Sequence, residues 1–172
     1  MASEIRSATP ADLPAIARLE RLVDRAAHWS PDDYEAIFTE GAPRRLVLVA
    51  ANNRALSGFV IARSVGAEWE IENIAVTPSL RRQGIASSLL GELIIRAQAE
   101  GAERIWLEVR ESNSAARALY QSAEFIPSTR RRGYYGDPRE DAIGYLLELK
   151  ARNKGNGSPR SPLVGLCLRG EN

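Results

Sequence analysis

The order of apolar patterns along the chain predicts an α+β fold, in which helices cover both faces of a mostly antiparallel central sheet. Three strand-like runs follow one another at residues 46–51, 56–63 and 69–76, the third of them alternating, and such neighbours form a meander. From residue 85 to residue 149, helix-like and strand-like patterns alternate. A run of strands followed by interleaved helices and strands is typical of α+β domains.

The N-terminal third carries one short strand, which begins at Ile5, and two helices with clear start signals. Thr9 is a suitable N-cap, the next residue is a proline, and Asp12 completes a capping box. The same signal recurs from Ser30 and opens a second helix that runs through Phe38. The first helix extends to about residue 27 along an apolar stripe of Leu13, Ile16, Leu19 and Val23.

The three central strands are expected to be joined by short turns. Asn52 and Asn53 tolerate positive φ and predict a hairpin between the first two. In the third run, alternation puts one set of side chains on one face: Glu70, Glu72, Ile74 and Val76. The opposite face then carries Trp69, Ile71, Asn73 and Ala75. A bulge near Ile74 would shift these faces by one residue.

The second half of the chain continues with a helix over residues 85–100, which Gly101 ends. Its buried stripe is Ile85, Leu89, Leu93, Ile94 and Ala97. The strand at residues 104–110 alternates between an apolar face of Ile105, Leu107 and Val109 and a second face of Trp106, Glu108 and Arg110. Asn113 lies in a polar run that caps the next helix, and residues 142–149 form the last strand.

Composition excludes several classes of function. A net charge of +1 argues against a protein that coats nucleic acid or a membrane surface, so neither is expected as a partner. Because Cys167 is the only cysteine and His28 the only histidine, neither an internal disulfide nor a Cys/His metal cluster is expected. The chain begins without a long apolar segment, which predicts no signal peptide or membrane span and hence a cytoplasmic protein.

The 172 residues are enough for one domain with a full core, which we expect at residues 1–150. Residues 151–172 are rich in Asn, Gly, Ser, Pro and Arg and have no stripe long enough to bury. This composition predicts a disordered tail. The alternative is an appended segment that binds a partner.

Residues 81–86, Arg-Arg-Gln-Gly-Ile-Ala, lie between a predicted strand and a predicted helix. Gly84 lets the backbone approach a ligand closely, and the first amides of the helix point at an anion. A simple turn is the alternative. The segment resembles the pyrophosphate loop of the GNAT (GCN5-related) N-acetyltransferases, with alanine in place of a second glycine. The resemblance implies the GNAT fold, and acetyl-CoA bound at Arg82, Gln83, Gly84, Ile85, Ala86 and Ser87.

A second motif makes the resemblance more specific. From Leu107 to Tyr120 the chain reads Leu-Glu-Val-Arg-Glu-Ser-Asn-Ser-Ala-Ala-Arg-Ala-Leu-Tyr. This run is similar to the RimI-type branch of the GNAT family, whose members acetylate the N-terminal amino group of ribosomal protein S18. The likeness covers about residues 3–149 and implies that the partner is a peptide N-terminus, that of S18.

Acetyl transfer to an amine needs a base, a stabilised carbonyl oxygen and a proton for the departing thiolate. An α-amino group has a pKa of about 7.7–8.0, so a carboxylate can assist its deprotonation. Glu108 is the candidate base, and the resemblance assigns it that role; a solvated strand residue is the alternative. The resemblance also implies Tyr120 as the proton donor, whose alternative is a core position. Coenzyme contacts are implied for Asn113, alternatively a helix cap, and for backbone amides at Ile74, Ala75 and Val76.

The acceptor groove of the family is walled by two regions that this chain also has. Trp29 comes from one of them, and Tyr134 and Asp141 come from the other. We hypothesise that a cationic peptide terminus is received by four carboxylates, namely the pair Glu140 and Asp141 together with Glu70 and Glu72 on the neighbouring strand. The alternatives are a Trp29 that plugs the core and ordinary strand-edge charge. The arginines at residues 130–132 are expected to form a solvated basic turn and no RNA site.

Two positions depart from the family pattern. Glu124 stands where relatives have glycine, so it must bear a positive φ at the helix exit, at a cost of about 1 kcal/mol. His28 replaces an apolar residue or proline before Trp29, which leaves room for a different acceptor groove.

The sequence as a whole predicts an acetyl-CoA-dependent N-terminal α-amino acetyltransferase that transfers the group directly in a ternary complex. No serine or cysteine is placed to carry the acyl group, because the only cysteine lies in the tail. Two alternatives remain. One is a GNAT enzyme for a small amine, such as a polyamine or an aminoglycoside. The other is a non-catalytic module that binds coenzyme A and acts through protein partners.

Overall fold

The computed structural model describes residues 3–23, 29–39, 41–52 and 55–149. Its four α-helices, all within this part of the chain, are α1 (Leu13–Arg21), α2 (Pro31–Glu35), α3 (Ile85–Ala99) and α4 (Ser114–Ser122). Its seven strands are β1 (Glu4–Ser7), β2 (Arg45–Asn52), β3 (Ala55–Val65), β4 (Glu68–Val76), β5 (Arg104–Arg110), β6 (Ile126–Gly136) and β7 (Arg139–Glu148). They form one sheet in the order β1-β2-β3-β4-β5-β7-β6.

All neighbouring strands pair antiparallel except β4 and β5, which are parallel. The two faces of the sheet are covered by different helices. One core joins α3 and α4 to the sheet, and its largest buried members include Leu89, Leu93 and Tyr145. The other core joins α1 and α2 to the opposite face through residues such as Ile16 and Phe59. The predicted α+β fold with helices on both faces is therefore confirmed.

Both N-terminal helices begin where the sequence signals predict. The Asp12 carboxylate accepts a hydrogen bond of 2.8 Å from the Thr9 N–H, and one turn of 3-10 helix then leads into α1. Ser30 and Asp33 form a complete capping box, in which the Ser30 hydroxyl accepts from the Asp33 N–H at 3.2 Å. The predicted extension of the first helix to about residue 27 is wrong for residues 22 and 23, because α1 ends at Arg21. Residues 24–28 lie outside the described residues.

A bulge in β4 changes the predicted faces of that strand. Ile61 and Ala62 of β3 pair with Asn73 and Ile71, so Glu72 is an extra residue between them. As a result, Trp69 and Ile71 pack in the core with α3, whereas Ala75 packs in the core with α1. The single face predicted for Trp69, Ile71, Asn73 and Ala75 is therefore wrong, and the change occurs at Glu72.

The edge strand β6 contains the arginines at residues 130–132, for which a basic turn was the expectation. The turn is wrong, because Arg130 and Arg131 pair with Ile143 and Ala142 of β7, whereas the expected exposure of the three arginines is confirmed. Nearly every residue of β6 is exposed. An edge strand of this kind has no buried face, so it lacks the apolar alternation by which a strand is predicted.

The parallel pairing of β4 and β5 is short, and this opens the sheet. The two strands pair only from Glu68↔Arg104 to Glu70↔Trp106, although β4 continues to Val76 and β5 continues to Arg110. Beyond the last pair the strands diverge. The gap between their C-terminal halves contains the candidate site.

The remaining predictions concern the tail, two loop residues, the exit of α4 and membrane-spanning helices. The predicted tail at residues 151–172, together with His28 and Asn53, lies outside the described residues. Glu124 has φ +66, which confirms the predicted positive φ at the exit of α4. Within the described ranges, no helix has the length and apolar character needed to cross a membrane.

Candidate active site

Two adjoining cavities lie in the gap between β4 and β5. We call the first the strand cavity; it has a volume of about 560 Å³ and is lined mainly by β4, β5 and the β6 tyrosines. We call the second the loop cavity; it has a volume of about 500 Å³ and lies against residues 80–87. Ile74, Asn113 and Ala116 line both cavities. The two cavities therefore meet between the end of β4 and the start of α4.

The loop cavity surrounds the N-terminus of α3. Gly84 precedes this helix with φ +78, a conformation that only glycine adopts without strain. Among the described residues, no side chain caps the helix at Gly84, so its first amides face the cavity without a competing side-chain acceptor. Arg82 also has a positive φ, of +64, which the sequence did not signal. This arrangement of amides, helix dipole and arginine is suited to an anion.

The predicted coenzyme residues converge on this cavity, with one exception. Those that line it are Ile74, Ala75, Val76, Arg82, Gly84, Ile85, Ala86, Ser87 and Asn113. Gln83 is not among the lining residues. Asn113 also caps α4, where its side-chain oxygen accepts a hydrogen bond of 3.2 Å from the Ala116 N–H. Both roles considered for Asn113 are thus compatible with its position.

Glu108 and Tyr120 line the same strand cavity. Tyr120 is 5 % exposed and its ring packs against Phe125 and Tyr145, with centroids 5.9 and 6.1 Å away. Burial raises the pKa of the Tyr120 phenol, so this hydroxyl stays protonated at neutral pH. The Glu108 side chain is 20 % exposed, and both of its oxygens contact Nη1 of Arg131, at 3.1 and 3.2 Å.

Of the predicted acceptor residues, Trp29, Glu70, Glu72 and Tyr134 line the strand cavity. Asp141 does not line it. One oxygen of Asp141 accepts a hydrogen bond of 2.8 Å from the Gly133 N–H, and the other accepts one of 2.8 Å from Nε of Arg130. These two donors, the Gly133 amide first, lower the pKa of the Asp141 carboxyl. Asp141 therefore stabilises the irregular part of β6 and does not contribute to the surface of the cavity.

The two glutamates of β4 are bound to arginines. Glu72 accepts hydrogen bonds from Nε and Nη2 of Arg45 at 2.7 and 3.2 Å. Glu70 is hydrogen-bonded to Arg63, whose Nε also lies 3.4 Å from Glu72. Arg45 in turn lies over the Trp29 ring, 5.7 Å from its centroid. The wall of the cavity is thus a linked network in which the carboxylate charges are compensated.

A buried carboxylate that the sequence interpretation missed positions this wall. Glu20 on α1 is 2 % exposed and accepts a hydrogen bond of 2.6 Å from the Asn73 amide. It also accepts from the Trp29 N–H at 3.2 Å. A signal for Glu20 did exist, because it lies four residues after Ile16 in the apolar stripe of the first helix.

A diverging parallel strand pair next to an uncapped helix start, with a carboxylate and a phenol in one cavity, defines a class of acyl-transferring enzyme. The family model described as the acetyltransferase (GNAT) family matches residues 13–125, and the chain belongs to this family. It is accordingly an acyltransferase of the N-acetyltransferase type.

Individual relatives show which members of the family the chain is similar to. The chain is similar to the [ribosomal protein bS18]-alanine N-acetyltransferase of Escherichia coli K12, with 39 % identity over 147 residues, 84 % of this chain and 97 % of the relative. The enzyme of the same name from Haemophilus influenzae is 36 % identical over 129 residues, 72 % of this chain and 88 % of the relative. The crystal structure of the Escherichia coli enzyme has a TM-score of 0.76 at 38 % identity, covering 88 % of this chain and 97 % of that chain.

Proposed function

We propose that the chain transfers an acetyl group from acetyl-CoA to the N-terminal α-amino group of a protein, the alanine of ribosomal protein S18. The observation that carries this proposal is the junction of the two cavities at Ile74, Asn113 and Ala116, with Glu108 and Tyr120 beside it. The names of the similar enzymes from Escherichia coli and Haemophilus influenzae supply the acceptor.

The loop cavity fits a coenzyme with a diphosphate. The uncapped amides at the start of α3 and the side chain of Arg82 would hold the negative charges. Ile74, Ala116 and Leu119 supply an apolar surface on the side that faces the strand cavity. Acetyl-CoA, when bound, supplies the acetyl group as a thioester.

Glu108 acts as the base in this proposal. An α-ammonium group that reaches the strand cavity gives one proton to Glu108, directly or through a water molecule. The neutral nitrogen then forms a bond to the carbonyl carbon while the carbon–sulphur bond breaks. Backbone N–H groups of residues 74–76 stabilise the carbonyl oxygen as its charge grows. The second proton of the nitrogen leaves to solvent.

Tyr120 supplies the proton that the departing sulphur needs. Exchange with solvent then returns a proton to Tyr120 and removes the one held by Glu108, so that each cycle releases one proton in total. Burial keeps the Tyr120 phenol protonated, so it is a donor throughout the physiological pH range. The same burial makes loss of that proton costlier than in water. Low-polarity surroundings also raise the pKa of the coenzyme thiol, so the departing thiolate is a stronger base than it is in water. Proton transfer from the buried phenol to this thiolate therefore stays feasible.

The acceptor occupies the strand cavity between Trp29 and Tyr134. Glu70 and Glu72 remain bound to arginines, but a carboxylate has about four lone-pair positions. We propose that they accept further hydrogen bonds from the acceptor peptide without losing these partners. Neutralised carboxylates contribute orientation and little net attraction, because the arginines cancel their charge.

The test is an assay of the purified chain with acetyl-CoA and a peptide that carries the N-terminal sequence of its own ribosomal protein S18. Mass spectrometry should find a single acetyl group on the α-nitrogen. The same peptide with a blocked N-terminus is the control, and it should not react. Acetylation of a polyamine or an aminoglycoside but not of the free peptide would overturn the proposal in favour of a small-amine enzyme.

A substitution in the strand cavity tests the proposed contacts with the acceptor peptide. Glu72→Ala should raise the Michaelis constant for the peptide about threefold, because Glu72 and the Arg45 that it holds both face the cavity. Glu68→Ala is the matched control, since Glu68 lies on the same strand, pairs with Arg104 and does not line the cavity. An unchanged peptide Michaelis constant in Glu72→Ala would remove Glu72 from the acceptor site.

A further inference from the structure

The contact between Glu108 and Arg131 lies at the point where the acceptor amine must arrive. Nη1 of Arg131 is 3.1 and 3.2 Å from the two Glu108 oxygens. The guanidinium also stacks on the ring of Tyr134, 4.0 Å from its centroid, and Tyr134 lines the strand cavity. Arg131 therefore contacts the carboxylate from the β6 side, although its own side chain is not among those that line the cavity.

An irregularity in β6 produces this arrangement. Arg131 pairs with Ala142 and Tyr135 pairs with Glu140, so three residues of β6 stand opposite one residue of β7. Asp141, the single residue opposite, accepts a hydrogen bond from the N–H of Gly133, which has φ +59. The excess residues bring Arg131 and Tyr134 to the same side, where the guanidinium can lie on the ring.

We propose that Arg131 and the ammonium group of the acceptor compete for the carboxylate of Glu108. This inference rests on the proposed role of Glu108 as the base. Both groups carry one positive charge and donate N–H hydrogen bonds, so either can compensate the carboxylate. The acceptor replaces the guanidinium at Glu108, and the Arg131 side chain moves outward along the half-exposed ring of Tyr134.

The exchange is energetically easy because the pair is accessible to solvent. The Arg131 side chain is 56 % exposed, and ion pairs of this kind are weak. No charge is left buried without a partner at either end of the exchange. Arg131 thus gives cationic acceptors a small advantage, because a neutral ligand would have to break the ion pair without replacing it.

The test compares Arg131→Ala with Arg132→Ala, the next residue of β6. Both arginines are exposed, and the 3.1 Å contact with Glu108 is made by Arg131. Without its internal competitor, Arg131→Ala should bind the peptide two- to fivefold more tightly in calorimetry with coenzyme A present. The Michaelis constant for the peptide should fall by the same factor, whereas kcat should change less. Arg132→Ala should show neither effect.

Added methylguanidinium is the second probe. In Arg131→Ala it should occupy the vacated place and inhibit competitively against the peptide, and in wild type it should inhibit much less. In a Glu108→Gln background, Arg131→Ala should no longer change the peptide Kd, because no charge remains to compete for.

Weaker peptide binding by Arg131→Ala would overturn the proposal, since Arg131 would then bind the acceptor. A loss of kcat with an unchanged Michaelis constant would also overturn it, because Arg131 would then act in the chemical step. The proposed function fails on a different result, namely no acetylation of the peptide by wild type. Peptide binding in the presence of coenzyme A is measured without turnover, so the two failures are distinguishable.

Discussion

The loop cavity and the strand cavity adjoin, yet they are built from different kinds of groups. Nearly half of the residues that line the loop cavity come from one segment, residues 80–87, which offers backbone amides at the start of α3. The strand cavity is made by side chains from β2, β4, β5, α4 and the β6 tyrosines. Ion pairs such as Arg45–Glu72 and Arg131–Glu108 cross-link it.

The difference follows from what each cavity has to recognise. A diphosphate is the same in every reaction cycle, and backbone amides bind it regardless of most side-chain changes. A small side chain at residue 86, an alanine in this chain, is therefore sufficient beside the cavity. Acceptors differ, and a cavity of paired side chains can be altered by single substitutions. Substitutions on one side should therefore leave the other side's ligand unaffected.

The largest effect is expected from Glu108→Gln. Loss of the base should lower kcat for the peptide about 10²- to 10⁴-fold, while the Kd for acetyl-CoA stays within twofold of wild type. Glu111→Gln is the control, because Glu111 follows β5 directly but pairs with Arg130 away from the cavity. A Glu108→Gln enzyme that retains full kcat would show that proton removal does not depend on this carboxylate.

The complementary substitution in the loop cavity is Gly84→Ala. An alanine at φ +78 is strained by about 1–2 kcal/mol, so we expect the loop to shift. The first N–H groups of α3 would then no longer point at the diphosphate. The Michaelis constant for acetyl-CoA should rise about tenfold, and that for the peptide should stay the same.

Gly91→Ala is its matched control, since Gly91 lies within the same helix with open space at its Cβ position. That substitution should stabilise the fold by up to about 1 kcal/mol and leave both Michaelis constants unchanged. If Gly84→Ala raised the peptide constant equally, the two cavities would not be separable.

The same contrast explains what the sequence could predict. Capping boxes at Thr9 and Ser30, and the glycine before α3, are local signals, so the starts of these helices were predicted correctly, whereas the end of the first helix was not. The Arg131–Glu108 pair joins residues 23 positions apart, and no local pattern indicates such a contact. It also depends on β6, whose exposed residues carry no strand pattern.

The sequence raised a bulge near Ile74 only as a possibility and did not locate it at Glu72, for a related reason. Both faces of the sheet are covered, so β4 ends in a continuous apolar run at residues 74–76 instead of keeping the alternation of Trp69 and Ile71. A run of this kind does not show at which residue the strand changes faces. Only the pairing with β3 reveals that one residue is extra. The faces of a strand buried on both sides are set by its neighbours and not by its own sequence.

A pH experiment sharpens the comparison, because carboxylates brace the strand cavity and none lines the loop cavity among the described residues. Glu140 is hydrogen-bonded by Ser112 and lies 3.4 Å from Arg110, and these contacts, Ser112 first, lower the pKa of its carboxyl. A lowered pKa means that the stabilisation is complete above the unfolded pKa of about 4.3 and is lost as pH falls through the folded pKa.

Glu140→Gln should therefore melt at a lower temperature than wild type at pH 7, and the difference should shrink as pH falls from 5 to 3. Glu148→Gln, at the exposed far end of β7, is the control and should alter the melting temperature little at either pH. A difference between Glu140→Gln and wild type that is the same at pH 7 and pH 3 would exclude the carboxylate charge as its source.

The smallest effect is expected where α4, which lines both cavities, ends. Glu124 has φ +66, so Glu124→Gly should remove the strain of a side chain in that conformation and stabilise the fold by about 1 kcal/mol. For a domain of this size the melting temperature should rise by about 2–4 °C. Both Michaelis constants should be unchanged, because the exposed Glu124 lines neither cavity.

Glu124→Ala separates strain from charge, since it removes the carboxylate but keeps the Cβ atom. It should leave the melting temperature near that of wild type. Equal stabilisation by alanine and glycine would place the cost in the charge of Glu124 and not in its backbone. A change in the Michaelis constant for only one of the two ligands would contradict this prediction. It would show that the end of α4 affects one cavity and not the other.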